Sequence, residues 1–272
     1  MSKMLIGNWD DPIRKVPLSD NMGNKSSAWS VQKEDAEKGW NEVGVVSDKY
    51  LLVENQQVEK LAHDIAESSG YNFAPDKTFW NGRQFMYSMV AKDYTDEVSV
   101  GDDVGLGIMF WNSYDGSTAL QFKLYLQRLV CLNGMVSNDI FKSFRFKHDE
   151  SSENYQEEII EAAKIIESSR ENVRYFINAL RYLDKEELDF CKLSTIRQEH
   201  LSHVPTTLFG NIVDELLNYR PLGKPTAYDL LNSSTKVLWH KKKSTKADFD
   251  HNASIVDSLV NYAKLGINKE YN

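Results

Sequence analysis

The chain has 272 residues, 41% of them hydrophobic and 26% charged, with a formal net charge of −8 at pH 7. That length can bury a sizeable core and that composition is globular, which excludes a disordered or fibrous protein. Two cysteines, Cys131 and Cys191, exclude a disulfide framework and a four-cysteine zinc site, and the acidic balance argues against a surface that coats duplex DNA.

The first fifteen residues carry no apolar segment of a secretory leader, and no apolar run approaches the roughly 18 residues that span a bilayer. A reducing host-cell cytoplasm is the expected compartment, with no membrane partner. Residues 1–40 are polar and irregular: Gly7, Pro12, Pro17 and Gly23 break periodicity, and Trp9, Trp29 and Trp40 stand as isolated anchors. They read as an N-terminal arm laid over the body or over a neighbour.

A β-rich core is expected over 41–150. It opens with short runs at 43–46 and 50–53, then a helix with Val58, Leu61 and Ile65 on one face, ending at Ser69-Gly70. Asn81-Gly82 between aromatic runs is a hairpin signal, because both residues tolerate positive φ. A second hairpin joins 104–111 to the alternating stretch 119–126. The region 151–272 reads as helical and packed with the core. Ser151-Ser152 is a cap candidate, and an apolar stripe from Ile159 to Leu180 implies one long helix. Shorter helices follow at 207–218, 226–241 and 254–264, with Pro205, Pro221 and Pro225 between segments. Strands first and helices later make an α+β protein: an antiparallel, hairpin-rich sheet packed on a long helix, followed by a helical C-terminal part.

Familiar chemistries find little support. There is no phosphate-binding glycine loop, since Gly105-Leu106-Gly107 lacks the remaining pattern, and the six histidines include no HExxH pair. Acidic pairs such as Asp102-Asp103 and Glu157-Glu158 could serve a metal-dependent nuclease, but 40 acidic residues make such pairs common by chance. Cys131 reads as a small core residue or as a nucleophile near a histidine. No cofactor, no metal and no catalytic centre are expected.

Asn112-Ser113-Tyr114-Asp115-Gly116-Ser117, closed by Arg128-Leu129-Val130-Cys131-Leu132-Asn133, resembles the phage/plasmid-like family of unknown function, whose members carry N-[SA]-x-D-G-S, a strand, then R-x-V-C-x-N. Echoes at 45–55 and 226–235 extend the resemblance over roughly residues 43 to 265. Tyr114 stands where a histidine is common, which places in question any chemistry needing that histidine. Asp115-Gly116-Ser117 suits a tight turn; Arg128 and Asn133 either orient that turn or hold a phosphate and a base. The family's mobile-element setting, with cations set among rings, implies a homo-oligomeric protein that binds single-stranded DNA and assists recombination. The candidate contacts are Arg83, Arg128, Arg145, Lys147, Lys241, Lys242 and Lys243. The alternatives are a factor that binds a host protein, in takeover or anti-defence, and the nuclease.

Overall fold

The computed structural model describes residues 8–19, 22–35, 39–141, 143–146, 155–219, 224–241 and 245–270. The expected α+β class holds: two antiparallel sheets precede a helical C-terminal part. The smaller sheet is the meander β1 (Ile13–Ser19), β2 (Lys25–Asp35) and β3 (Gly39–Ser47). Helix α1 (Asn55–Ser68) follows. The larger sheet runs β4 (Phe73–Trp80), β5 (Gln84–Ser99), β6 (Asp102–Ser113), β7 (Gln121–Arg128) and β8 (Asn133–Val136) in sequence order. A short β9 (Ser143–Arg145) pairs with the start of β7.

Six helices complete the chain: α2 (Gln156–Ser168), α3 (Arg170–Lys185), α4 (Phe190–Glu199), α5 (Thr206–Tyr219), α6 (Ala227–Trp239) and α7 (Lys246–Glu270). The chain divides into two compact units. Unit 1 takes its described residues from Met1–Val90, Ile108–Lys123 and Ser143–Ile166; unit 2 takes them from Ala91–Gly107, Leu124–Lys142 and Glu167–Asn272. Strands β5, β6 and β7 contribute residues to both.

In unit 1, Val31, Val46 and Tyr114 form a buried cluster against which Trp29, Tyr50 and Trp80 pack. Gly44 has no room for a side chain there, since a Cβ would lie 2.5 Å from Asp115 Cα. In unit 2, Trp239 of α6 lies between Tyr125 and Phe249, with ring centroids 5.4 and 5.2 Å away. Gly134 of β8 leaves the space its indole fills, for a Cβ would come within 2.3 Å of the ring. Helix α6 starts with a capping box in which Thr226 and Asp229 satisfy each other's backbone N–H.

Five features depart from the expectations. Residues 13–19 and 25–35, read as irregular, are strands. Their inward face carries Lys15, Trp29 and Lys33, which polar patterning conceals: the Lys15 Nζ donates to the carbonyls of Asp48 and Tyr50, and Lys33 pairs with Asp11. Pro17 is tolerated because β1 is an edge strand. Residues 50–53, read as a strand, are an extended connection into α1. The stripe read as one long helix is carried by two, α2 and α3, meeting at Ser169, and Ser151-Ser152 lies outside the described residues. Strand β5 runs on to Ser99 and turns through Gly101, with φ +76°, into β6, a third hairpin whose charged strand hid its period. Helix α4 also lacked a signal, because its apolar residues do not gather on one face.

Candidate functional site

The residues singled out in the sequence fall into two sets, one in each unit. In unit 1 the Asn112–Ser117 motif ends β6 and turns toward β7. Asn112 is buried and donates from Nδ2 to the Val53 carbonyl at 2.8 Å. Asp115 Oδ1 accepts the Ser117 N–H at 2.9 Å, and Gly116 takes φ +71°, which is the turn chemistry expected of Asp-Gly-Ser. Ser113 Oγ closes the loop by accepting from the Thr118 N–H and donating to its carbonyl, at 3.0 and 2.8 Å. Two further side chains hold it from outside: Tyr50 donates its hydroxyl to the Ser113 carbonyl, and Gln84 Nε2 donates to Ser117 Oγ at 2.8 Å.

Tyr114, inside this motif, is buried. Its hydroxyl accepts the Asn55 N–H at the first turn of α1 at 3.0 Å, and burial pushes its phenol well above the ordinary value of 10.0. It acts as a hydrogen-bonded core residue.

The β4–β5 turn adjoins this loop. Asn81 Oδ1 accepts the N–H groups of Arg83 and Gln84, and Gly82 has φ +95°. The Arg83 carbonyl accepts the Tyr114 N–H at 2.7 Å. Across the sheet Gln121, at the start of β7, pairs with Arg145 of β9 and donates from Nε2 to Thr118 Oγ1 at 2.7 Å. Arg83 and Arg145 therefore stand on either side of the Ser113–Thr118 turn, and both are exposed. Half-buried Trp80 and Phe144 lie close to them in the chain.

The second set, in unit 2, is closed. Arg128, a candidate nucleic-acid contact in the sequence, is 8% exposed, and its Nε donates to Asp102 Oδ1 at 2.6 Å, with Asp102 7% exposed. Its guanidinium lies 5.6 Å from the Tyr228 ring centroid, and Nη1 is 3.6 Å from Cys131 Sγ. A charge spent on a buried carboxylate is not offered to a phosphate. Asn133 donates from Nδ2 to the Asn232 carbonyl at 3.2 Å. Its Oδ1 lies 2.8 Å from His240 Nε2, which is also 3.2 Å from the Cys131 carbonyl. With two acceptors before it, that nitrogen carries the imidazole proton.

Helix α6 and its C-cap His240 thus meet the R-x-V-C-x-N segment, the helix through Tyr228 and Asn232. Burial, then the Asp102 charge, pushes the Tyr228 phenol far up. The Tyr228 hydroxyl lies against the Asn232 side chain and Asp102, while among the described residues Ser233 Oγ and Gln127 Nε2 are buried without a hydrogen-bond partner. The signal for this meeting was the 226–235 echo; that it faces Arg128 and Asn133 is a long-range fact that one sequence does not carry.

Arg128 and Asn133 belong to a different unit from the turn at Asp115, and the partners described above come from their own unit. Lys241 pairs with Asp248 at 2.5 Å. Lys147, Lys242 and Lys243 lie outside the described residues. Among the described residues, no three or more His, Cys, Asp or Glu side chains converge as metal ligands, and no helix is long and apolar enough to cross a membrane.

Comparison with curated proteins and with solved structures finds no match. A family model matches residues 42–260, which include both motif segments and the α6 residues that meet the second of them; the chain belongs to the family described as Domain of unknown function (DUF932).

Proposed function

We propose that this protein binds single-stranded nucleic acid through the Arg83 and Arg145 end of unit 1, as a homo-oligomeric recombination accessory of a phage or another mobile element. One observation carries the reading: two exposed arginines flank a turn that is braced from both sides. Among the described residues neither guanidinium takes part in an ion pair. Arg83 precedes β5 and Arg145 lies on β9, three strand spacings away, so their backbones are roughly 14 Å apart. Guanidiniums at that separation follow a phosphate backbone.

Anisotropy of a labelled oligonucleotide, followed from about 50 to 200 mM salt, tests this. Two phosphate contacts give a slope of log K against log salt of about −1.4 for a single strand, and Arg83→Ala or Arg145→Ala each lowers its magnitude by about 0.7. Binding that ignores salt, or that survives intact in the double variant, overturns the proposal.

The net charge of −8 favours a second reading, a factor that binds a host protein. A partner that stays bound in a pull-down after nuclease treatment supports that reading.

A further inference from the structure

Unit 2 contains a cavity of about 140 Å³ that the nucleic-acid reading does not use. One wall is a stripe of α7, in which Asp257, Val260, Asn261 and Lys264 recur at helical spacing. The loop after β8 supplies Asp139, and Tyr175 of α3 forms the rim. The walls are tied together. Asp257 accepts from Ser137 Oγ at 2.5 Å and from the Asn138 N–H at 3.1 Å. Asn172 Nδ2 donates to the Ile140 carbonyl at 3.0 Å, and Phe141 packs edge-on against Phe176 at 5.6 Å. The cavity is thus set by packed elements.

Its chemistry is that of a cation receptor. Two carboxylates face a space floored by Val260, which is 2% exposed, and edged by the Tyr175 ring, which is 40% exposed. Burial, and also the Asp139 charge, hold Asp257 above the ordinary aspartate value against the hydrogen bonds it accepts from Ser137 and from the Asn138 and Asp139 N–H groups. The volume admits several water-sized groups, room for a small organic cation such as methylguanidinium. A planar guanidinium can give paired hydrogen bonds to carboxylates and lay its face on a phenol ring, which a compact ammonium does not do as well.

We infer that the cavity between α3, α7 and the β8 loop is a receptor for a guanidinium group, held by Asp139 and Asp257 against Tyr175. Lys264, on the same stripe, carries a like charge and weakens the site.

The test is an amide NMR titration of the full chain with methylguanidinium chloride, with sodium chloride and n-butylammonium chloride as matched controls. Expected are shifts confined to the neighbourhood of residues 139, 175 and 257, with a dissociation constant of about 1 mM or lower. Asp139→Asn, at an exposed position, and Asp257→Asn each weaken binding at least tenfold, whereas Lys264→Met tightens it several-fold. Agmatine and an end-blocked arginine peptide, run in parallel, tell a free small molecule from the side chain of a partner. The inference falls if methylguanidinium leaves these amides unmoved. It also falls if butylammonium binds equally well, or if Asp139→Asn changes nothing.

Discussion

Taking away the Arg128 side chain strands the Asp102 carboxylate where water does not reach it. Arg128→Met is expected to cost about 3–5 kcal/mol in urea unfolding, while pairing it with Asp102→Leu restores most of that loss, because no lone charge is left behind. A single variant no worse than the double would contradict the pairing. Lys241 works through pH. Burial pushes the Asp248 carboxyl up, but the Lys241 ammonium and the amide and hydroxyl of Thr245 outweigh it and hold the group below its ordinary 3.8. Such a group stabilises the fold above about 3.8 and loses that contribution as pH falls through the lower folded-state value. Lys241→Met raises the folded-state value, so the fall of the thermal midpoint between about pH 5 and pH 2 becomes shallower; an unchanged profile would show that the pair does not act this way.

Among the elements, Gly134 offers the sharpest test, since the indole of Trp239 occupies the place of its missing Cβ. Gly134→Ala is expected to destabilise by about 1–3 kcal/mol, and Trp239→Leu in the same chain recovers part of it by vacating the space; strictly additive losses would rule out the contact. The hairpin at Asn81-Gly82 was legible because Gly82 takes positive φ and the Asn81 side chain accepts two N–H groups of the turn, local demands visible in two letters. Strands β1 and β2 were not legible because Lys15 and Lys33 share the inward face with Ile13, Trp29 and Val31 and bond to carbonyls or a carboxylate, so no unbroken apolar period-two run shows. The site divides in the same way. Asp115-Gly116-Ser117 announced its turn, but Arg128 gave no sign that Asp102, one hairpin earlier, would claim its charge. A cation's partner is a matter of strand pairing, and strand pairing is non-local.

Across the whole molecule, neither unit is one continuous stretch. The chain passes from one to the other at 90/91, 107/108, 123/124, 142/143 and 166/167. A fragment ending at residue 150 lacks part of unit 1 and most of unit 2, so it is expected to show no cooperative thermal transition by circular dichroism; a sharp transition in that fragment would contradict the interleaved assembly. The same interleaving bears on how the protein is made. Unit 1 cannot close until Ile166 has been synthesised, and unit 2 waits for the end of the chain. At elongation speeds of about 5 to 20 residues per second the unit 2 strands before residue 142 therefore wait roughly 7 to 26 s for the helices that complete their unit, a window in which nascent-chain chaperones have something to hold.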